Sequence, residues 1–130
     1  MHKFKEKEII TIAALLIHAA KIDEIYSDHE KKIIIDFIGN NTKDKSQSQK
    51  ILTEAEILEA DSNQLLNYTK IIKDGSLEIK KEIVEQLWKI LISDNSVDQY
   101  ESNLMRRICG LIYFSDKDSG EIRMRLSKNK

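Results

Sequence analysis

Two short acidic segments contain the residues whose types and spacing could bind a ligand. Asp23 is followed by Glu30, and Asp94 is followed by Glu101, with the second pair displaced from the first by 71 residues. Carboxylate oxygens are the ligands that hard cations such as Ca²⁺ and Mg²⁺ prefer. Each segment is shorter than a twelve-residue calcium-binding loop and cannot surround a cation alone. A cation site would therefore have to combine both segments.

The same glutamates have a purely structural interpretation. Ser27 and Asp98 are predicted to be the N-caps of two helices, which places Glu30 and Glu101 at the third helical position. A glutamate at that position closes a capping box with the N-cap residue and interacts favourably with the helix dipole. Capping and cation binding both remain open from the spacing alone.

The other reactive residue types do not form a pattern that indicates catalysis. His18 and His29 have no histidine counterpart at the 71-residue offset, so both are predicted to lie at the surface or the rim. Cys109 lies on an apolar helical face and is predicted to be a core residue. The sequence contains no phosphate-binding loop, zinc-ligand spacing or nucleophile–base arrangement, so we predict no catalytic residue. A hydrolase that uses the paired carboxylates on a metal-bound water is the least favoured alternative.

The 71-residue offset extends well beyond the acidic residues. Leu16 corresponds to Leu87, and Phe37 corresponds to Ile108, so apolar character is kept on both sides of each acidic segment. Three- and four-residue spacing of the apolar residues predicts helices before and after each segment. The sequence therefore predicts two duplicated αα-hairpins.

Composition indicates a single all-α domain over residues 1–130. The chain has 130 residues, no proline, four glycines, 41% hydrophobic residues and 33% charged residues. Such a chain is long enough for one domain with its own core. A net charge of −1 gives no support to nucleic-acid binding. A single cysteine, the absence of a long apolar run and a start without a signal-peptide pattern predict a cytoplasmic protein without a transmembrane segment.

The apolar periodicity predicts about seven helices in a compact bundle. The first is expected over about residues 4–22. The Gly39-Asn-Asn stretch is expected to end the second, with Gly or Asn in the left-handed conformation, and residues 40–49 are expected to form a loop. Asp61 is predicted to cap the fourth helix. Three glutamates of the third helix are predicted to form its acidic outer face: Glu54, Glu56 and Glu59.

Several of these residues resemble the TerB-like tellurite-resistance family over about residues 6–120. The resemblance rests on Ala-Lys-Ile-Asp23 with Glu30, and on Leu87-Trp88 followed by Asp94, Glu101 and Met-Arg-Arg-Ile-Cys-Gly-Leu. It implies a compact helical domain with paired acidic turns, proposed to bind divalent cations, and a role in resistance to tellurite and other stresses. The family often has glycine after the turn aspartate, whereas this chain has glutamate and asparagine there.

Together these observations predict a non-enzymatic stress-response module. We expect weak binding of Ca²⁺ or Mg²⁺ at Asp23, Glu30, Asp94 and Glu101, and binding of a protein partner, with a membrane-associated partner among the alternatives. No nucleic-acid partner and no other cofactor are expected. The competing hypothesis is a plain helical scaffold for protein–protein interaction in which the acidic residues only cap helices.

Overall fold

The predicted all-α bundle of seven helices is confirmed. A computed structural model describes residues 4–23, 26–42, 44–61, 65–92 and 99–128 of the chain. These residues form seven α-helices and two single 3₁₀ turns, Lys21–Asp23 and Lys45–Gln47, and no strand occurs within them. The helices in chain order are α1 (Glu6–Ala20), α2 (Asp28–Asn41), α3 (Ser48–Asp61), α4 (Leu65–Lys73), α5 (Leu77–Leu91), α6 (Gln99–Ile112) and α7 (Asp116–Lys128). None of the described helices is long and apolar enough to cross a membrane.

The sequence repeat is also a repeat of helix boundaries. Both ends of α5 lie 71 residues after the corresponding ends of α1, and both ends of α6 lie 71 residues after those of α2. The residues that follow α1 and α5 have nearly the same backbone angles, with φ −86° and ψ 0° at Lys21, and φ −93° and ψ 6° at Ile92. The duplicated αα-hairpins are therefore equivalent in secondary structure as well as in sequence.

Helix α1 lies at the centre of the bundle. It packs against α2, α3, α4 and α5, and nine of its fifteen residues are buried. A helix that is apolar on most of its circumference must be covered on several sides. Its partner in the repeat, α5, is buried on one face and presents charged residues on the other. The repeat thus gives one central helix and one peripheral helix.

Helix α2 ends within the predicted Gly39-Asn-Asn stretch, but without the left-handed residue expected there. The helix continues to Asn41, and no glycine of the described residues has a positive φ. The Asn41 side-chain amide donates a hydrogen bond of 2.8 Å to the Phe37 carbonyl, one of the carbonyls that a helix end leaves unsatisfied. A side-chain amide therefore satisfies this helix end without a left-handed glycine. The expected loop over residues 40–49 is correspondingly shorter, because α3 already begins at Ser48.

The end of α3 departs from expectation, and the end of α6 has a conformation of its own. Asp61, predicted to cap α4, is instead the last residue of α3. Helix α6 ends in a Schellman arrangement, in which the Phe114 amide bonds the Cys109 carbonyl at 2.9 Å and the Tyr113 amide bonds the Gly110 carbonyl at 3.4 Å. Tyr113 occupies the left-handed position of this turn, with φ 60°, where glycine is usual. It is the one non-glycine residue with positive φ in the described ranges.

Candidate functional site

Glu30 occupies the predicted position in the first turn of α2. Its amide donates to the Ser27 hydroxyl oxygen at 3.1 Å, and its carboxylate accepts from the Ser27 amide at 2.8 Å. The predicted capping box is therefore confirmed. The side chain is nonetheless buried, with the residue only 7% exposed. An acid in an ordinary surface capping box does not need that burial, so Glu30 also contributes to the interior at this end of the bundle.

Glu101 repeats this placement in α6. It lies in the first turn of α6, 71 residues after Glu30, and it is 5% exposed. The predicted N-cap Asp98 and the predicted ligand Asp94 lie outside the described residues, as does the side chain of Asp23 at the end of the 3₁₀ turn. The structure therefore places two of the four predicted ligands, both as buried carboxylates at equivalent positions.

Tyr26 connects the first acidic segment to α3. Its hydroxyl donates a hydrogen bond of 3.1 Å to a carboxylate oxygen of Glu56. Burial raises the pKa of Tyr26 well above its usual value, and the negative charge of Glu56, the hydrogen bond to it, and the charges of Glu30 and Glu59 act in the same direction. Three carboxylates are thus close enough to influence one phenol group.

Glu59 is a charged residue whose position differs from the sequence prediction. It was expected on the solvent side of α3, but it is only 6% exposed. One carboxylate oxygen accepts from Lys21 Nζ at 2.8 Å, and the other lies 3.3 Å from His18 Nδ1. The spacing did contain a signal, because Leu52, Ala55 and Glu59 recur at three and four residues along the buried face of α3.

Basic side chains offset this acidic charge. Lys21 contacts Glu59 and also lies 5.9 Å from the centre of the Tyr26 ring, while Lys31 lies 4.9 Å from the same centre. His18, predicted at the surface or the rim, is half-buried against Glu59, whereas His29 is exposed. The first acidic segment is therefore a mixed-charge cluster, in which a cation would have to compete with two lysines.

The described residues alone do not complete a cation site. Within them, no three His, Cys, Asp or Glu side chains come together as metal ligands. The oxygen donors of Glu30 and Glu101 are chemically suited to a hard cation. Helix α2 packs mainly against α1, α3 and α5, whereas α6 packs mainly against α4, α5 and α7. The described residues therefore do not test the four-residue site, which stays a prediction.

Cys109 and Trp88 are core residues, as predicted. Cys109 is 1% exposed and Trp88 is 4% exposed. The Trp88 indole N–H donates to the Ser119 hydroxyl oxygen at 3.0 Å. Burial raises the pKa of the Cys109 thiol, and a hydrogen bond with Ser119 acts against that rise. A buried thiol with a raised pKa is a poor nucleophile, which agrees with a structural role for Cys109.

The fold and these positions define a class of protein: a helical bundle in which two αα-hairpins recur at a fixed offset, each with a buried glutamate opening its second helix. The family model described as tellurite resistance protein TerB matches residues 9–124. The chain therefore belongs to the TerB family. No curated protein and no solved structure matches it.

Proposed function

We propose that this protein is a non-enzymatic stress-response module of the TerB type, acting in the cytoplasm through a divalent cation and a protein partner. The cation, Ca²⁺ or Mg²⁺, is proposed to bind weakly at Asp23, Glu30, Asp94 and Glu101. The observation that carries the proposal is the pair of buried glutamates at equivalent positions of α2 and α6, each seven residues after an aspartate. Membership of the TerB family supports the same assignment.

Weak affinity follows from the electrostatics of the site. The N-terminal dipoles of α2 and α6 already stabilise Glu30 and Glu101, and Lys21 and Lys31 supply positive charge near the first segment. Each of these positive charges reduces the further stabilisation that a bound cation can give the carboxylates. We expect a Kd of about 10⁻⁴ to 10⁻³ M, the range of loosely built calcium sites.

The test is a calcium titration followed by thermal melting. At about 10 mM Ca²⁺, a site with a Kd of about 1 mM stabilises the folded state by about 1.4 kcal/mol. For a chain of this size, that raises the melting temperature by about 5 °C. The double variant Asp23→Asn with Asp94→Asn should lose this rise and should be more stable than the wild type without the cation, because the mutual repulsion of the acids is relieved.

Two further variants separate ligand loss from other effects. Glu30→Gln with Glu101→Gln keeps both side chains able to cap, since glutamine also closes a capping box, but removes two ligand charges. This variant should fold normally and no longer respond to Ca²⁺. The matched control, Asp61→Asn with Asp74→Asn, removes the same charge from two exposed sites and should respond like the wild type.

The competing function is a helical interaction scaffold without a cation. The capping box of Glu30 favours it, because that contact accounts for one carboxylate oxygen without a metal. The scaffold hypothesis predicts that Ca²⁺ does not change the melting temperature of the wild type. It also predicts that the Asp23 and Asp94 double variant is less stable than the wild type. That pair of results would eliminate the cation site.

A further inference from the structure

A groove between α6 and α7 is built differently from the acidic end of the molecule. It has a volume of about 250 Å³, and Trp88 of α5 lines it together with residues of both helices. The α6 residues that line it are Ser102, Met105 and Arg106, and the α7 residues are Asp116, Ser119, Gly120 and Arg123.

The wall of this groove is held in place by buried contacts. Trp88 and Ser119 are both at least 95% buried, and the 3.0 Å hydrogen bond between them fixes the indole ring. The Arg123 guanidinium carbon lies 5.2 Å from the centre of that ring. Stacking on tryptophan is a favourable place for an arginine and restricts its movement. The groove therefore presents a positioned guanidinium group rather than a freely rotating one.

The two arginines of the groove lack acidic partners within the part of the chain that the structure describes. Arg125, by contrast, pairs with Glu85 at 3.2 Å. No carboxylate of a described residue lies within ion-pairing distance of Arg106 or Arg123. Asp116 also lines the groove, so its three charged side chains sum to one positive charge. A single negative charge balances this set, and carboxylates form strong charge-assisted hydrogen bonds with guanidinium groups.

A second groove continues from the first along α7. It has a volume of about 600 Å³, and it shares Asp116, Gly120 and Arg123 with the first groove. All of its lining residues belong to α7, and Lys117, Glu121 and Ser127 complete the lining beside Met124, which is 61% exposed. Methionine side chains adapt well to an apolar partner. An acidic residue in the first groove would thus place its neighbour beside Met124.

We propose that these joined grooves bind an acidic segment of a partner protein, with one carboxylate between Arg106 and Arg123 and a neighbouring apolar side chain on Gly120 and Met124. The proposal deepens the proposed function, since it assigns a surface and a chemistry to the partner. It is argued separately from the cation, because Glu30 and Glu101, the two predicted ligands that the structure places, line neither groove.

The test is a titration followed by the NMR signal of the indole N–H group. The chain has one tryptophan, so this signal reports on the groove without ambiguity. The probe is N-acetyl-Glu-Leu amide, with N-acetyl-Gln-Leu amide as the neutral control, sodium acetate as a free carboxylate and inorganic phosphate as a different anion. All titrations are made at one ionic strength, because exposed charges are screened by salt.

We expect N-acetyl-Glu-Leu amide to shift the indole signal saturably, and the glutamine control not to do so. Acetate should bind more weakly than the dipeptide, because it cannot reach Met124. Arg106→Gln should weaken dipeptide binding by about fivefold or more, as loss of a charge-assisted contact does. The matched control Arg107→Gln, a neighbouring exposed arginine that does not line the groove, should leave binding unchanged.

A second pair of variants tests the position of the ligand without altering charge. A Cβ added at Gly120 or at Gly110 meets no atom within 4 Å, so both positions can accept a larger side chain. Gly120→Leu should block the grooves, whereas Gly110→Leu should not.

Three results would each overturn the proposal. They are tighter binding of phosphate than of the dipeptide, equal losses of affinity in Arg106→Gln and Arg107→Gln, and full binding by Gly120→Leu. Arg106→Gln should still show the calcium-induced rise in melting temperature. The result for the peptide-binding groove is then separate from the result for the cation site.

Discussion

Neutralising Glu59 should destabilise the protein measurably, although the residue lies on a charged helix. Its side chain is 7% exposed, and it contacts Lys21 at 2.8 Å and His18 at 3.3 Å. Removing one partner from a fully buried ion pair costs about 3–5 kcal/mol. The Lys21 side chain is 42% exposed and can be solvated by water when its partner is lost, so the full cost does not apply. We expect Glu59→Gln to lower the free energy of unfolding by about 1–2 kcal/mol.

This loss can be measured by urea unfolding followed by Trp88 fluorescence, and it corresponds to a fall of about 5 °C in the melting temperature. The control is Glu54→Gln on the same helix, which should stay within about 0.5 kcal/mol of the wild type. A double-mutant cycle with Lys21→Met should give a coupling energy of about 0.5–1 kcal/mol between residues 21 and 59. Wild-type stability in Glu59→Gln, or additive effects in the cycle, would refute the structural role assigned to this ion pair.

Three further predictions concern other parts of the fold. Tyr113→Gly should raise the free energy of unfolding, measured in urea, by about 1 kcal/mol, because the left-handed conformation strains a residue with a side chain but not glycine. A lower free energy of unfolding would show that the tyrosine ring contributes more to stability than the strain costs. Ser119→Ala should lower it by about 1–3 kcal/mol, since the Trp88 indole N–H stays buried without its acceptor, and an unchanged urea midpoint would contradict this. The pKa of Tyr26 is higher in the folded protein than in the unfolded chain, so its contribution to stability is complete below about pH 10 and is lost as the pH rises further. Between about pH 10 and 12, the melting temperature of the wild type should therefore fall faster than that of Tyr26→Phe. Parallel pH profiles would show that Tyr26 ionises without a cost to the fold.

The sequence predicted the repeat so well because two independent signals coincide there. Apolar residues at three- and four-residue spacing specify a helix, and their recurrence at one offset specifies that the same helices form twice. The Ser27–Glu30 capping box was predictable for a similar reason, since its partners are three residues apart and act locally. Local signals of this kind do not depend on the rest of the fold.

The failures all involve partners that are distant in sequence, or competition between local signals. The Gly39-Asn-Asn stretch suggested a left-handed residue at the end of α2, but the Asn41 amide satisfies the Phe37 carbonyl instead. Glu59 looked solvent-facing because it is charged, but in the fold it contacts His18 of α1 and Lys21 of the following 3₁₀ turn, both distant in sequence. The predicted ligands lie in two segments that are 71 residues apart. Their distance in the fold depends on tertiary packing, which residue spacing does not specify.

The central position of α1 also has a consequence for synthesis of the chain. Helix α1 is made early, but two of the helices that cover it, α4 and α5, are made only after residue 64. Until then, part of the apolar surface of α1 has no native partner, and exposed apolar surface of this kind promotes aggregation during folding. A chain interrupted near Asp61 would hold α1 covered by α2 and α3 alone. The first of the duplicated halves therefore buries part of its apolar surface only when the second is present.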